Sequence, residues 1–149
     1  MAEHRAQVRW QRTSQTFTYD SYNRAHEVLF KDGRVVLPGS AAPAFKGEVE
    51  RVDPEEAFVA SLSACHMLSF LAIAARKRLT VNSYSDDAVG YLEKSPAGKL
   101  QMTRVILRPR ITFAEDPGPK VLDEIHHLAH ETCFIANSVT TSVAIEPQS

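Results

Sequence analysis

Hydrophobic and polar positions alternate at the start of the chain. Val8 and Trp10 alternate with polar neighbours over residues 6–12, which predicts a strand. A second strand is predicted at 25–30 and a third over the following VVLP. Between them lies KDGR, whose Asp-Gly pair tolerates the positive φ of a tight hairpin turn. The opening segment is therefore expected to be an antiparallel meander.

A long apolar run in the middle of the chain predicts a helix. Residues 39–52 are rich in Gly, Pro and small side chains, which indicates a loop before it. Asp53 is a good N-cap, Pro54 suits the first helical turn, and two glutamates follow where the helix dipole favours negative charge. The predicted helix runs from Pro54 to about Arg78.

The second half of the chain predicts further strands and a second helix. Two strands are expected at 81–92 and 101–113, joined by KSPAGK. An amphipathic helix follows from Lys120 to about Phe134, and SVTTSVAIEP predicts a last strand. The pattern indicates an α+β fold with antiparallel sheets, a long buried central helix and a second amphipathic helix, in a single domain over residues 1–149.

Composition excludes several classes of protein. The 149 residues are 44% hydrophobic and 23% charged, which is typical of a globular domain and not of a disordered chain. The net charge is -1 and no block of Lys or Arg occurs, so we expect no nucleic-acid partner.

One segment raises the possibility of a membrane span. Ala57–Ala75 contains no charged residue over 19 positions, which is long enough to cross a bilayer. Its serines, histidine and many alanines make it only moderately hydrophobic, and a helix that is apolar all round can also be the central helix of a soluble core. We find no secretory signal at the start of the sequence, and we expect a cytoplasmic protein without a membrane partner.

The two cysteines and three of the histidines are the candidate chemical groups. Spacing alone favours two unrelated core cysteines at Cys65 and Cys133. A metal site built from these cysteines with His66, His126 and His130 is a weaker alternative, because a His-x₃-His pair on an amphipathic helix is more often a solvated face. No metal or cofactor is expected.

Two segments carry a resemblance to a known family. The stretches VDPEEAFVASLSACHMLSFL at 52–71 and AHETCFIANSV at 129–139 resemble the hallmark segments of the osmotically inducible protein C and organic hydroperoxide resistance (OsmC/Ohr) family. Both occur in the family's order, and the expected strands and helices fit it over nearly the whole chain. Asp53, Glu56 and His66 depart from the residues commonest at those motif positions.

The resemblance implies a thiol-dependent peroxidase that reduces organic hydroperoxides to alcohols. Cys65 matches the reactive cysteine and Cys133 the second cysteine, which implies a sulfenic acid followed by an intramolecular disulfide that an external dithiol reduces. An arginine from the N-terminal segment and a glutamate assist the reactive cysteine. Glu55 matches the glutamate, and Arg24 is the candidate arginine, with Arg9 and Arg12 as alternatives.

The family also implies an intertwined homodimer, in which the two central helices are buried together. Ten residues of helix rise about 15 Å, so Glu55 cannot reach Cys65 on its own straight helix. Either Arg24 bridges the gap, or the helix is interrupted, or Glu55 serves the partner's cysteine, which is the arrangement we favour. The rival function is a non-catalytic protein that binds a small ligand or a metal on the same fold.

Overall fold

The computed structural model describes residues 1–149 and divides the chain into two units, Met1–Ala57 and Phe58–Ser149. The first unit contains a three-stranded antiparallel sheet in the order of the sequence, which confirms the predicted meander. The turn after the second strand places Lys31, Asp32 and Gly33 at positive φ. The strands are β1 (Gln7–Arg9), β2 (His26–Phe30) and β3 (Val35–Gly39).

The segment after β3 is folded back on the sheet and leads to the first helix. Arg51 donates to the carbonyl oxygens of Gly39 and His26 at 2.8 and 2.7 Å. Gly47 packs so closely on the backbone of Ala41 that a Cβ there would lie 1.5 Å from its carbonyl oxygen. These contacts fix the chain just before the helix begins.

Helix α1 (Pro54–Arg76) is one uninterrupted helix. Its start is a capping box: the Glu56 N–H donates to Asp53 Oδ1 at 2.8 Å, and the Asp53 N–H donates to Glu56 Oε1 at 3.1 Å. It ends two residues before the predicted boundary, because Arg78 adopts a left-handed φ of 62° and its N–H bonds to the Ala75 carbonyl.

The second unit holds five strands in two sheets. The strands predicted at 81–92 and 101–113 are each broken in two, because the Arg108 N–H donates to the side chain of Asp86 at 2.6 Å and Pro109 has no N–H for a ladder. The halves then pair in different sheets, ordered β4-β7 and β5-β6-β8. The strands are β4 (Val81–Asp86), β5 (Val89–Lys94), β6 (Leu100–Leu107), β7 (Pro109–Phe113) and β8 (Ser142–Ile145).

Helix α2 (Pro119–Thr132) lies between β7 and β8 in the chain. Because the chain passes through this helix, β8 returns parallel to β6, the one parallel strand pair in otherwise antiparallel sheets. The sequence does not predict that pairing. The α+β class with two helices and largely antiparallel sheets is confirmed.

The core of the second unit is built along one face of α1. Leu62, His66, Phe70 and Ala74 recur every four residues and are all buried. Phe70 and Ala74 pack against α2, and Leu62 packs against β6. This packing holds the middle of α1 against the C-terminal half of α2.

Candidate active site

The two cysteines lie together in the second unit. Cys65 is half-buried near the middle of α1, and Cys133 is only 1% exposed. The Cys65 side chain is close enough to Cys133 to raise the pKa of its thiol, and both thiols are free. Spacing alone had favoured two unrelated core cysteines, but the packing of α2 on α1 brings them together.

Cys133 occupies the C-cap of α2 and not a helical position. The predicted helix reached Phe134, but α2 ends at Thr132 and Cys133 has extended backbone angles. The Ala136 N–H points at the Cys133 sulfur at 3.5 Å. Burial, and then the hydrogen bond with Cys65, raise the pKa of the Cys133 thiol to about 11. Cys133 is therefore a protonated thiol at neutral pH.

A second contact between the same two helices joins two buried histidines. Nε2 of His66 lies 3.1 Å from Nδ1 of His126, with the rings parallel. Burial, followed by the nearby His126 and His130, lowers the pKa of His66 to about 4, and burial lowers that of His126 to about 4. Both imidazoles are neutral at pH 7.

The interpretation of the His-x₃-His pair as a solvated face is wrong. His126 is buried and His130 half-buried, whereas the exposed histidine of α2 is His127, which pairs with Glu131 at 3.2 Å. No group of three His, Cys, Asp or Glu side chains has the geometry to hold a metal ion.

Arg24 is the buried member of the three candidate arginines in the first unit. It lies in the loop before β2, with Nη1 donating to the Tyr22 carbonyl at 2.6 Å and Nη2 donating to the Tyr19 carbonyl. Its guanidinium stacks 3.6 Å from the centre of the Tyr22 ring, and its Nε has no partner. Arg9 and Arg12 are exposed.

An apolar groove lies beside Arg24 in the first unit. Its volume is about 390 Å³. Trp10, Phe17 and Tyr22 contact one another edge-on or tilted, with ring centres 5.2 to 6.4 Å apart. The groove has the size and character for the organic part of a small molecule. Its lining residues are Trp10, Phe17, Tyr22, Arg24, His26, Ser40, Ala41 and Pro54.

Glu55 occupies the second position of α1, half-buried, whereas Glu56 is held in the capping box. Because α1 is continuous from Pro54 to Arg76, an interrupted helix is excluded as the explanation for how Glu55 could serve Cys65. Glu55 and Cys65 of one chain are therefore separated by about 15 Å along the helix axis.

One side of α1 is apolar and uncovered. Leu68 is 63% exposed, and exposed alanines continue the same side. The helix is long and apolar enough to cross a membrane, and only 22% of its most apolar window is buried. The expected burial of this helix is therefore incomplete within one chain. The exposed alanines are Ala60, Ala64, Ala72 and Ala75.

Comparison with known proteins identifies the family. The model of the family described as OsmC-like protein matches residues 46–148. The chain belongs to the OsmC-like family. No curated protein matches the chain. Membership in this family of small soluble proteins indicates that α1 is the central helix of a soluble fold and not a membrane span.

Solved structures extend the family likeness to the whole chain. An OsmC-like protein of unknown function from Vibrio cholerae is 48% identical, with a TM-score of 0.93, and the match covers 99% of this chain and 100% of that one. An organic hydroperoxide resistance protein OsmC from Legionella pneumophila is 18% identical, with a TM-score of 0.78 and coverage of 100% and 98%. The organic hydroperoxide resistance protein OhrB of Bacillus subtilis is 20% identical, with a TM-score of 0.70 and coverage of 97% and 98%. The last two establish the shared OsmC-like fold alone.

The family resemblance identified the two cysteines, whereas the sequence named His66, His126 and His130 only as weaker candidate metal ligands and did not predict the hydrogen bond between His66 and His126. The sequence signal for that pair was its spacing: His126, His130 and Cys133 follow one side of α2 at intervals of four and three. The corresponding feature on α1 is the adjacent Cys65 and His66.

Proposed function

We propose that this OsmC-like protein is a thiol peroxidase that reduces organic hydroperoxides to alcohols. The observation that carries the proposal is the proximity of the Cys65 and Cys133 thiols, the first of which raises the pKa of the second. A half-exposed thiol beside a buried one is the arrangement that a two-cysteine peroxide cycle requires.

In the first step, the Cys65 sulfur attacks the outer oxygen of the hydroperoxide. The O–O bond breaks, the alcohol leaves, and the sulfur becomes a sulfenic acid. In the second step, Cys133 attacks that sulfur and displaces the hydroxyl as water, which forms a disulfide. An external dithiol then reduces the disulfide by exchange.

Arg24 and Glu55 are the proposed assistants of Cys65. A guanidinium favours a thiolate and binds peroxide oxygens, and a carboxylate can orient the guanidinium. Arg24 is favoured over Arg9 and Arg12 because it is buried and its Nε is free. The apolar groove beside Arg24 would take the alkyl or aryl part of the hydroperoxide.

The active form in this proposal is a cytoplasmic homodimer of one OsmC-like domain per chain, residues 1–149. The uncovered apolar side of α1 supports it, because an exposed leucine flanked by small alanines allows two helices to approach closely. Glu55 of one chain would then serve Cys65 of the other, since its own Cys65 is about 15 Å away along the helix.

The experiment that tests the proposal is consumption of cumene hydroperoxide by the purified protein with a dithiol. We expect turnover that Cys65→Ser abolishes. Ser63→Ala, on the same helix, is the matched control for loss of a small polar side chain. A protein that binds cumene hydroperoxide or cumyl alcohol without consuming peroxide would instead support the non-catalytic ligand-binding alternative.

A further inference from the structure

Three aromatic side chains of the first unit meet at the groove beside Arg24. The ring centres of Trp10 and Phe17 are 6.0 Å apart, those of Trp10 and Tyr22 are 6.4 Å apart, and those of Phe17 and Tyr22 are 5.2 Å apart. The angles between the ring planes are 61°, 84° and 38°, so no ring stacks flat on another. All three rings line the groove. A ligand in the groove therefore meets a wall of aromatic surface.

Two of these rings are left open to solvent. Trp10 is 44% exposed and Phe17 is 66% exposed. Single exposed apolar residues are normal on a protein surface, but adjacent aromatic side chains in a concave apolar site are typical of ligand binding. Packing within the first unit therefore does not by itself explain why both rings are placed here.

Hydrogen bonds hold Trp10 in position without a ligand. Its indole N–H donates to the Asn23 carbonyl at 2.7 Å. The side chain of Asn23 accepts from the Thr13 N–H at 2.8 Å and donates to the Gln11 carbonyl at 2.9 Å. The polar group of the indole is thus satisfied inside the protein, and its apolar surface is available. A preorganised site loses little conformational freedom on binding, which favours affinity for a small ligand.

The other two rings are held by the turn that joins them. The Ser21 hydroxyl oxygen accepts from the Thr18 N–H at 2.9 Å, which closes the turn between Phe17 and Tyr22. The Arg24 guanidinium lies 3.6 Å from the centre of the Tyr22 ring. One side of Tyr22 is therefore occupied by a cation, so Trp10 and Phe17 are the rings that remain for a ligand.

The polar side chains that line the groove are engaged within the protein. Ser40 is fully buried and its hydroxyl oxygen accepts from the Glu48 N–H at 3.0 Å. Nδ1 of His26 donates to the Arg24 carbonyl at 2.8 Å. Both Nη atoms of Arg24 donate to backbone carbonyls, which leaves its Nε as the exception. The groove therefore suits a ligand whose body is apolar, and not one with several polar groups.

The volume of the groove limits the size of the ligand. Small-molecule pockets span about 300–1,000 Å³, and the 390 Å³ of this groove lies near the lower end of that range. A single ring with a short substituent suits this space better than a long lipid chain. Aromatic rings attract one another in edge-on and offset arrangements, a preference that a saturated ring lacks.

We propose that this groove is a binding site for an aryl group, and that small aromatic compounds with one polar end are the ligand class of the protein. Trp10 and Phe17 select the ring. The inference deepens the function proposed above and rests on it in one respect: in the peroxidase, aryl hydroperoxides are preferred to saturated hydroperoxides of the same size.

The first test measures binding alone. The alcohols 2-phenyl-2-propanol and 2-cyclohexyl-2-propanol differ only in whether the ring is aromatic, and neither oxidises a thiol. Trp10 is the only tryptophan of the chain, so its fluorescence reports occupancy of the groove, and calorimetry gives an independent Kd. We expect the phenyl alcohol to bind about fivefold more tightly. A groove that is merely hydrophobic would bind the cyclohexyl alcohol at least as well.

A substitution at Phe17 separates the aromatic preference from general hydrophobicity. Phe17→Leu keeps the Trp10 reporter and should weaken binding of the phenyl alcohol about fivefold, while the affinity for the cyclohexyl alcohol stays within about twofold of the parent. Phe45→Leu is the matched control, because Phe45 is an exposed phenylalanine of the same unit that does not line the groove. Both of its affinities should equal those of the parent.

The second test measures turnover. We expect kcat/KM for cumene hydroperoxide to exceed that for its cyclohexyl analogue by about fivefold. Phe17→Leu should abolish this preference by raising KM for cumene hydroperoxide, with kcat within about twofold of the parent, because the ring contributes binding that does not change during the reaction.

The outcomes separate this inference from the proposed peroxidase. Equal affinities for the two alcohols, or no binding of either because a second copy of the chain covers the groove, overturn the aryl site even if hydroperoxide is consumed. An aryl preference in a protein that consumes no hydroperoxide supports the aryl site and overturns the peroxidase. Equal kcat/KM values for the two hydroperoxides overturn the substrate preference.

Discussion

The thiol of Cys65 lies close enough to that of Cys133 to raise its pKa, although 68 positions separate the two residues in the chain. One is in the middle of α1 and the other at the C-cap of α2, so their proximity depends on how the two helices pack. Phe70 and Ala129, both fully buried, are part of that packing. The proximity of the two thiols is therefore set by the hydrophobic core and not by the local sequence.

The two thiols should differ in reactivity. Cys65 is half-exposed, whereas Cys133 is buried and its pKa is raised to about 11. We expect Cys65 to be alkylated by iodoacetamide at pH 7.5 at least about tenfold faster than Cys133, as measured by peptide mass spectrometry. Equal rates would contradict the assignment of Cys65 as the attacking thiol.

The same measurement tests the arginine. Arg24→Ala should slow both the alkylation of Cys65 and the turnover of hydroperoxide by about tenfold, because our proposal assigns its guanidinium to the Cys65 thiolate, and loss of that cation disfavours the thiolate. Arg9→Ala is the control, since Arg9 is exposed and its guanidinium donates to the side chain of Gln7. If Arg9→Ala or Arg12→Ala has the larger effect, Arg24 is the wrong residue.

Loss of the second cysteine should uncouple the two steps of the cycle. Cys133→Ser should still consume one equivalent of cumene hydroperoxide, because the attack needs only Cys65. Intact mass should then show a gain of one oxygen in the variant and a loss of two hydrogens in the parent. A parent protein without an intramolecular disulfide would exclude the two-cysteine cycle.

The sequence predicted those helix and turn boundaries that depend on residues close together in the chain. The capping residues Asp53 and Glu56 mark the start of α1, and the Asp-Gly turn marks the β2–β3 hairpin. The breaks in the two long strands were not predicted. They depend on the hydrogen bond from the Arg108 N–H to Asp86, which joins residues 22 positions apart.

The candidate site also has some residues that the sequence predicted and some relationships that it could not predict. Motif resemblance named Cys65 and Cys133, but hydrophobic spacing could not bring them together. His126 was interpreted as part of a solvated face because its own helix is amphipathic and its neighbour His127 is exposed. Its burial follows from the contact with His66 on another helix, which no pattern within α2 can show.

Acid should destabilise the fold through the histidine pair. The folded-state pKa values of His66 and His126 are lowered from 6.5 to about 4, so the unfolded chain binds more protons between these limits. Stability is full above about pH 6.5 and falls as the pH drops towards 4, by about 3 kcal/mol for each histidine.

Urea unfolding at fixed protein concentration from pH 7.5 to 4.5 measures this effect. His126→Asn should lose a large part of the acid sensitivity, because one of the two buried titrating groups is gone. His127→Asn should retain it. Identical pH dependence in the two variants would show that the buried pair is not the source.

The uncovered side of α1 should hold two copies of the chain together. Leu68→Glu places a charge where we expect the partner helix, and we expect it to shift the protein from dimer to monomer in analytical ultracentrifugation and to reduce peroxidase activity. Leu100→Glu is the matched control, because Leu100 is 57% exposed on β6. A Leu68→Glu protein that remains dimeric would place the interface elsewhere.

The assignment of Glu55 to the partner's Cys65 can be tested by mixing inactive subunits. Glu55→Ala and Cys65→Ser are each expected to have little activity alone. If Glu55 serves the other chain, a hybrid dimer has one site with both defects and one site with neither. Random exchange at equal concentrations makes half of the dimers hybrids, so activity should return to about a quarter of the parent level. If Glu55 serves its own chain, every site keeps one defect and mixing restores nothing. Remixing each variant with itself is the control for the exchange procedure.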